Sequence, residues 1–261
     1  MGTPVRSIEH SSRVALVTGG ASGIGEAIAR QLASEGHTVA ISDLNQEAGK
    51  AVADAIGGLF IEADLHSPEA CRLCVDTVIQ KTGRLDILIN NAGLQHVSPL
   101  EDFPEEKWES MIQLMLISPF RLIKHAWPYL KASAAGRVVN MGSIHSVIAS
   151  ENKSAYVSAK HGLLGLTRSA ALEGGGHAIT VNAVCPAYVR TPLVDRQIQS
   201  QAKALSLSPD QVEQEVFLKS AAVKRLIEPE EVAHLVAYLC SERAGAVTGA
   251  TLSMDLGWTA Q

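Results

Sequence analysis

The chain is expected to fold as one α/β domain built on a doubly wound parallel sheet with helices on both faces. Three observations predict this. A strand-sized, β-branched and aliphatic run at 13–18 breaks into a glycine turn and then an amphipathic stretch at 26–35. Strand-sized and helix-sized segments alternate through the rest of the chain. The length of 261 residues, 46% of them hydrophobic, can bury one sizeable core without dividing.

After that opening unit, apolar runs at 37–42, 58–61, 85–90, 136–141 and 178–184 read as strands, with a last strand near 250–254. Helical patterns fill 45–56, 68–82, 105–130, 154–173 and 229–240. Ligands of such a sheet bind at the carboxyl ends of the strands, and Thr18, Asp43, Asp64, Asn91, Ser143 and Pro186 all fall at or just past those ends. The long stretch 187–228 carries its own helical pattern between 192 and 219. It is expected to form a substrate loop or lid, the other reading being a surface insertion without function. Residues 1–12 are polar and aperiodic and are expected to be a flexible tail, leaving 13–261 as the folded domain.

A net charge of −5 with no basic cluster leaves no footprint for nucleic acid or an anionic membrane. With neither an apolar leader nor a run of about 18 apolar residues, the chain reads as soluble and cytoplasmic. Cys71, Cys74, Cys185 and Cys240 give no disulfide framework. The pair Cys71 and Cys74 lies mid-helix without a second pair, so ordinary thiols are expected and no metal site.

The glycine turn carries the first chemistry. Gly19, Gly23 and Gly25, with Ser22 and Ile24 between them, sit between a strand and a helix, where close backbone approach and free helix N–H groups suit a pyrophosphate. The spacing Thr-Gly-x-x-x-Gly-x-Gly differs from the common dinucleotide pattern, and an empty turn is the alternative. Asp43 favours the cofactor reading, because it ends the next strand 18 positions after Gly25, near the offset at which an acid binds the adenosine ribose. Leu44 and Asn45 follow it, so nothing cationic stands there for a 2′-phosphate, and NAD is expected over NADP.

Tyr156 and Lys160 carry the second. At i and i+4 they share one helical face, thirteen residues beyond Ser143. A lysine charge close to the phenol would lower its pKa by about 1–3 units and make it a usable general base. Alone, the pair is common on surface helices.

Taken together, Gly19 to Gly25, Asp43, the run Asn90-Asn91-Ala92-Gly93, Ser143 and Tyr156 with Lys160 resemble the short-chain dehydrogenase/reductase family over nearly the whole chain. The resemblance implies a Rossmann-like fold and hydride transfer between an alcohol and NAD. In it Tyr156 is general acid/base, Ser143 holds the substrate oxygen, and Lys160 binds the nicotinamide ribose. It also implies adenine contacts at Asp64 and Leu65, a contact beside the adenine ribose at Asn91, and a nicotinamide-side loop containing Pro186, Val189 and Thr191. A homotetramer is the assembly the family suggests.

Finer similarity, at 93–96, 143–145, 152–156, 190–194 and 257–260, is to the family's D-3-hydroxybutyrate dehydrogenases. It implies reversible oxidation of D-3-hydroxybutyrate to acetoacetate, with Gln95, His145, Lys153 and Gln197 gripping the carboxylate and Trp258 walling the methyl end, from this subunit or a neighbouring one. An anion leaving water needs such donors and preferably a cation. Taken singly, His145 could cap a turn, Lys153 could be a solvated loop residue, and Trp258 could anchor an interface. Alternative functions are a short-chain dehydrogenase/reductase for another small hydroxy acid or carbonyl, or a catalytically weak NAD-binding regulatory protein. The last is motivated by Met115, which stands where the family usually places Asn and, as a weak acceptor, cannot hold a relay water. Ala187 and Leu256 replace family glycines and are expected to alter the local backbone.

Overall fold

A computed structural model describes residues 12–260; of the tail expected at 1–12, all but Ser12 lies outside the described residues. The strands are β1 (Val14–Thr18), β2 (Thr38–Asp43), β3 (Leu59–Glu62), β4 (Ile87–Asn90), β5 (Arg137–Met141), β6 (Thr180–Pro186) and β7 (Thr251–Met254). They form one parallel sheet in the order β3-β2-β1-β4-β5-β6-β7. Each lies within two residues of the run that predicts it. The chain leaves β1 towards β2 and β3, then crosses back to β4 on the other side, so the switch point lies between β1 and β4. There the diverging connections open a crevice at the carboxyl ends of the strands.

Residues of β1 alternate between faces, as strand geometry requires. Ala15 and Val17 pack with helices α1 (Gly23–Ser34), α2 (Gln46–Ile56) and α9 (Pro229–Cys240). Val14 and Leu16 pack with α3 (Pro68–Thr82), α5 (Ser118–Ala132) and α6 (Ser154–Gly174). Cys71 and Cys74 are core residues of the second layer, and burial pushes the Cys74 thiol up to about 12. Among the described residues no helix is long and apolar enough to cross a membrane.

The helix expected over 105–130 is broken in the middle. α4 (Glu105–Ile112) runs into a π-helical turn at Gln113–Ile117 before α5 continues. The backbone stays right-handed through both junctions, so one extra residue enters the turn without ending the helix. Ser118 secures it, the single proton of its Oγ shared between the carbonyls of Leu65 (2.5 Å) and Gln113 (2.8 Å).

The stretch 187–228 holds α7 (Pro192–Leu205), α8 (Pro209–Val212) and a second π turn, Glu213–Phe217. These enclose a small core of their own, Val194, Ile198, Ala202, Val212, Phe217, Leu218 and Leu226, separate from the two layers on the sheet. Its two ends are tied together: Val189 pairs with Ile227, the Arg190 N–H donates to the Ile227 carbonyl (2.8 Å), and the Ile227 N–H donates to that of Tyr188 (3.0 Å).

Leu256 adopts φ +56, the left-handed region that a side chain enters only at a cost, while packing against the sheet's first layer. The expected backbone change is therefore at Leu256. Ala187 stays outside that region and its methyl brings no such strain.

Candidate active site

The glycine loop is stitched into place from below. The Thr18 hydroxyl accepts from the backbone N–H groups of Asn91 (3.0 Å) and Ala92 (3.1 Å), and Asn91 Nδ2 donates to the carbonyls of Thr18 (2.9 Å) and Gly19 (3.0 Å). A Cβ built on Gly25 would stand 2.0 Å from the Gly19 carbonyl oxygen and 2.5 Å from Asn91 Nδ2, so only glycine fits. Ser22 gives α1 no side-chain cap, and the first helical N–H groups of α1 point to the loop. Asp43, at the end of β2, is aimed by two amides, Ala21 N–H (3.1 Å) and Asn45 N–H (3.0 Å), one on each carboxylate oxygen.

A cavity of about 600 Å³ joins this loop to the ends of β4, β5 and β6. Of the expected cofactor residues, Gly19, Ser22, Gly23, Ile24, Asp43 and Asn91 line it on one side and Pro186, Val189 and Thr191 on the other. Gly25 lies beneath the loop. Asp64 and Leu65 are outside the cavity: Asp64 is bound to His66 Nδ1 (2.8 Å), and the Leu65 side chain faces the second core layer. His66 in turn reaches Ser110 Oγ (2.9 Å), and its hydrogen bonds hold the Asp64 carboxyl below its ordinary value.

Ser143, Tyr156 and Lys160 meet in the same cavity. Ser143 caps the short turn Ile144–Ser146, its hydroxyl accepting from His145 N–H (3.2 Å) while Ser146 Oγ accepts from Ser143 N–H (3.0 Å). Thus Ser143 is the cap, and His145 is held inside the turn it starts. Lys160 departs from expectation. Its Nζ donates to the Met141 carbonyl (2.7 Å) and lies 5.5 Å from the centre of the Tyr156 ring. Burial pushes the phenol above its ordinary value, with the Ser143 hydroxyl opposing, and pushes the lysine down to about 8. The lowering of Tyr156 expected from Lys160 is therefore absent in this arrangement: the ammonium is turned to the Met141 carbonyl, and desolvation of the phenol sets the direction of the shift.

Gln95, His145, Lys153 and Gln197 line the cavity beside Tyr156. His145 stands edge-on to the Tyr156 ring at 5.9 Å and contacts Ser150 Oγ (2.7 Å). Burial and the neighbouring Lys153 charge push it down to about 4, so the imidazole is neutral at neutral pH. The Gln95 amide oxygen is buried without a hydrogen-bond partner among the described residues. Burial lowers the Lys153 pKa, and its Nζ donates to the hydroxyl of Tyr188 (3.3 Å). Trp258 is outside the cavity wall, its ring 5.6 Å from that of Tyr188, which does line the cavity. Sequence reasoning missed Tyr188. The available signal was a lone aromatic residue between Ala187 and Val189 in the loop after β6.

Met115 falls in the π turn, fully buried among Phe103, Met111, Ala155 and Ala159, with Tyr156 packed against the cluster. The thioether is thus an apolar wall of the Tyr156 pocket. Met115→Asn should exchange apolar packing against Phe103, Met111, Ala155 and Ala159 for a buried amide and lower stability by about 1–3 kcal/mol, read as a fall in urea midpoint. A gain in turnover by orders of magnitude would instead support the weak-catalyst reading.

The chain resembles known proteins throughout. A short-chain dehydrogenase model described as Enoyl-(Acyl carrier protein) reductase matches residues 19–259. An uncharacterized oxidoreductase, YxjF, of Bacillus subtilis (strain 168) is 42% identical over 95% of this chain and 99% of its own length. A D-beta-hydroxybutyrate dehydrogenase of Rhizobium meliloti (strain 1021) is 42% identical over 96% and 100%. A protein of the same name from Cupriavidus necator is 37% identical over 96% and 99%. With the seven-stranded parallel sheet and near-complete coverage, these similarities make the chain a member of the short-chain dehydrogenase/reductase family, oxidoreductases that use a nicotinamide cofactor.

Proposed function

We propose that the protein interconverts D-3-hydroxybutyrate and acetoacetate with NAD. The reading is carried by one juxtaposition: the Lys153 ammonium with Gln95, His145 and Gln197 in the same cavity as Ser143, Tyr156 and Lys160. The two relatives named D-beta-hydroxybutyrate dehydrogenase support it.

The residues present fit a dinucleotide. The Gly25 position admits no Cβ, and the Asp43 carboxylate is already oriented for ribose hydroxyls and against a 2′-phosphate. Gly19, Ser22, Gly23 and Ile24 would hold the pyrophosphate side; Pro186, Val189 and Thr191 the nicotinamide side; and Asn91 fixes the loop between them. When bound, the cofactor accepts the hydride.

The chain's own part is proton transfer and orientation. Ser143 Oγ holds the substrate hydroxyl, and Tyr156 Oη takes its proton during oxidation and returns it during reduction. Lys160, cationic below about pH 8, stabilises the phenolate as it forms once its contact is shared with the ribose. Lys153 supplies the cation for the carboxylate. Gln95, after a half-turn that exchanges its unpartnered amide oxygen for the N–H₂, supplies a donor, and Gln197 reaches the anion from α7. With α7 closed down, water is excluded from the anion.

NADH formation by purified protein, comparing D-3-hydroxybutyrate, its L enantiomer and its methyl ester with NAD and NADP, tests this. The D acid with NAD should exceed the ester by about 100-fold or more, because the ester brings no negative charge to meet the Lys153 ammonium and offers only weaker acceptors. Equal turnover of acid and ester would remove the carboxylate reading, and preference for NADP would remove the role of Asp43.

A further inference from the structure

We propose that Tyr188 is a substrate-binding residue: its phenol O–H and the Lys153 ammonium form a pair of donors, each taking one oxygen of the substrate carboxylate. This deepens the proposed function and rests on it for the identity of the anion.

The direction of the Lys153–Tyr188 hydrogen bond decides where the phenolic proton goes. An ammonium has three donors and no lone pair, so at 3.3 Å the phenol oxygen is the acceptor. Its own proton must then point to something else. Both side chains line the cavity that holds Tyr156 and Ser143. Two donors 3.3 Å apart, one of them charged, suit the two oxygens of one carboxylate, each of which has lone pairs to spare.

The phenol is also well fixed. Its ring lies 4.3 Å from that of Phe217 and 5.6 Å from that of Trp258, and its backbone carbonyl accepts from Ile227 N–H (3.0 Å) at the base of the 187–228 stretch. A donor held this way loses little freedom when an anion arrives. Burial, with the neighbouring Tyr156, pushes Tyr188 up to about 12, so it keeps its proton through any practical assay range. The stack also gives Trp258 a part without placing it in the cavity, because its ring backs the tyrosine that carries the donor.

Tyr188→Phe keeps the ring and removes the donor. The first readout is calorimetric binding of acetate to the protein in excess NAD, which needs no turnover. The acetate Kd should rise about tenfold in the variant, as expected for one charge-assisted hydrogen bond. With D-3-hydroxybutyrate, KM should rise about tenfold while kcat stays within about twofold; the rise in KM with the methyl ester should be clearly smaller, and the melting temperature should stay within about 2 °C of wild type. Acetate binding that is unchanged in the variant, or absent from the wild-type protein, would overturn the proposal. So would an equal loss for acid and ester with a lowered melting temperature, which is what a purely structural tyrosine gives. Acetate binding weakened by Tyr188→Phe in a protein that turns over no 3-hydroxybutyrate would uphold the donor pair and sink the substrate assignment alone.

Discussion

Tyr156→Phe should lower kcat for hydroxy acid oxidation by about 10³-fold while leaving NAD affinity and the melting temperature nearly unchanged. The substitution keeps the ring that packs against Met115, Ala155 and Ala159 and stands edge-on to His145, so the pocket retains its shape and loses only the proton acceptor. Because burial raises the phenol's pKa, the wild-type enzyme holds Tyr156 largely protonated at neutral pH. Oxidation needs the phenolate, so its rate should climb as pH rises. Reduction needs the neutral phenol and should vary little between about pH 6 and pH 8. Steady-state rates in both directions, with the variant measured beside the wild type, check the assignment. A variant keeping more than about a tenth of wild-type kcat would show that the proton goes elsewhere.

Gly25→Ala should be nearly as damaging, by a different route. The added methyl would sit 2.0 Å from the Gly19 carbonyl oxygen, and Gly19 cannot retreat without breaking its bond from Asn91 Nδ2. Forced overpacking of this kind costs about 1–3 kcal/mol, and the displaced loop should lose NAD affinity by about 100-fold. Gly165→Ala is the matched control. Gly165 lies exposed within α6 with nothing near its missing Cβ, and alanine there should stabilise by about 0.5–1 kcal/mol. Thermal melts and calorimetric titration with NAD read both. A Gly25→Ala protein as stable and as tight-binding as the control would refute the close approach.

Much of this was legible in the sequence because it depends on local pattern. A strand that ends in Thr18 and turns through Gly19, Gly23 and Gly25 into a helix is read from adjacent residues, and so is the i, i+4 pairing of Tyr156 with Lys160. What escaped depends on distance or on small backbone choices. The π turn at Gln113–Ile117 keeps right-handed dihedrals at both junctions, and no Gly or Pro within it marks the break. Lys153 and Tyr188 are 35 residues apart and meet only once α6 and the loop after β6 are in place. The outward placement of Asp64 follows from its bond to His66, a pairing two residues long with no periodic signature. The preference of the Lys160 ammonium for the Met141 carbonyl is set by the end of β5, a partner no spacing within one helix reveals.

The stitching of the glycine loop bears on the thermodynamics of nucleotide capture. Fixing a residue's backbone costs about 1–2 kcal/mol of conformational entropy wherever it is done. Here Thr18, Asn91 and Asp43 fix the loop while the chain folds, so on the function proposed above a dinucleotide would meet amides that are already ordered. On that reading, affinity for the cofactor and the join between the central strands β1 and β4 draw on the same few hydrogen bonds, and neither could be tuned at Asn91 without moving the other.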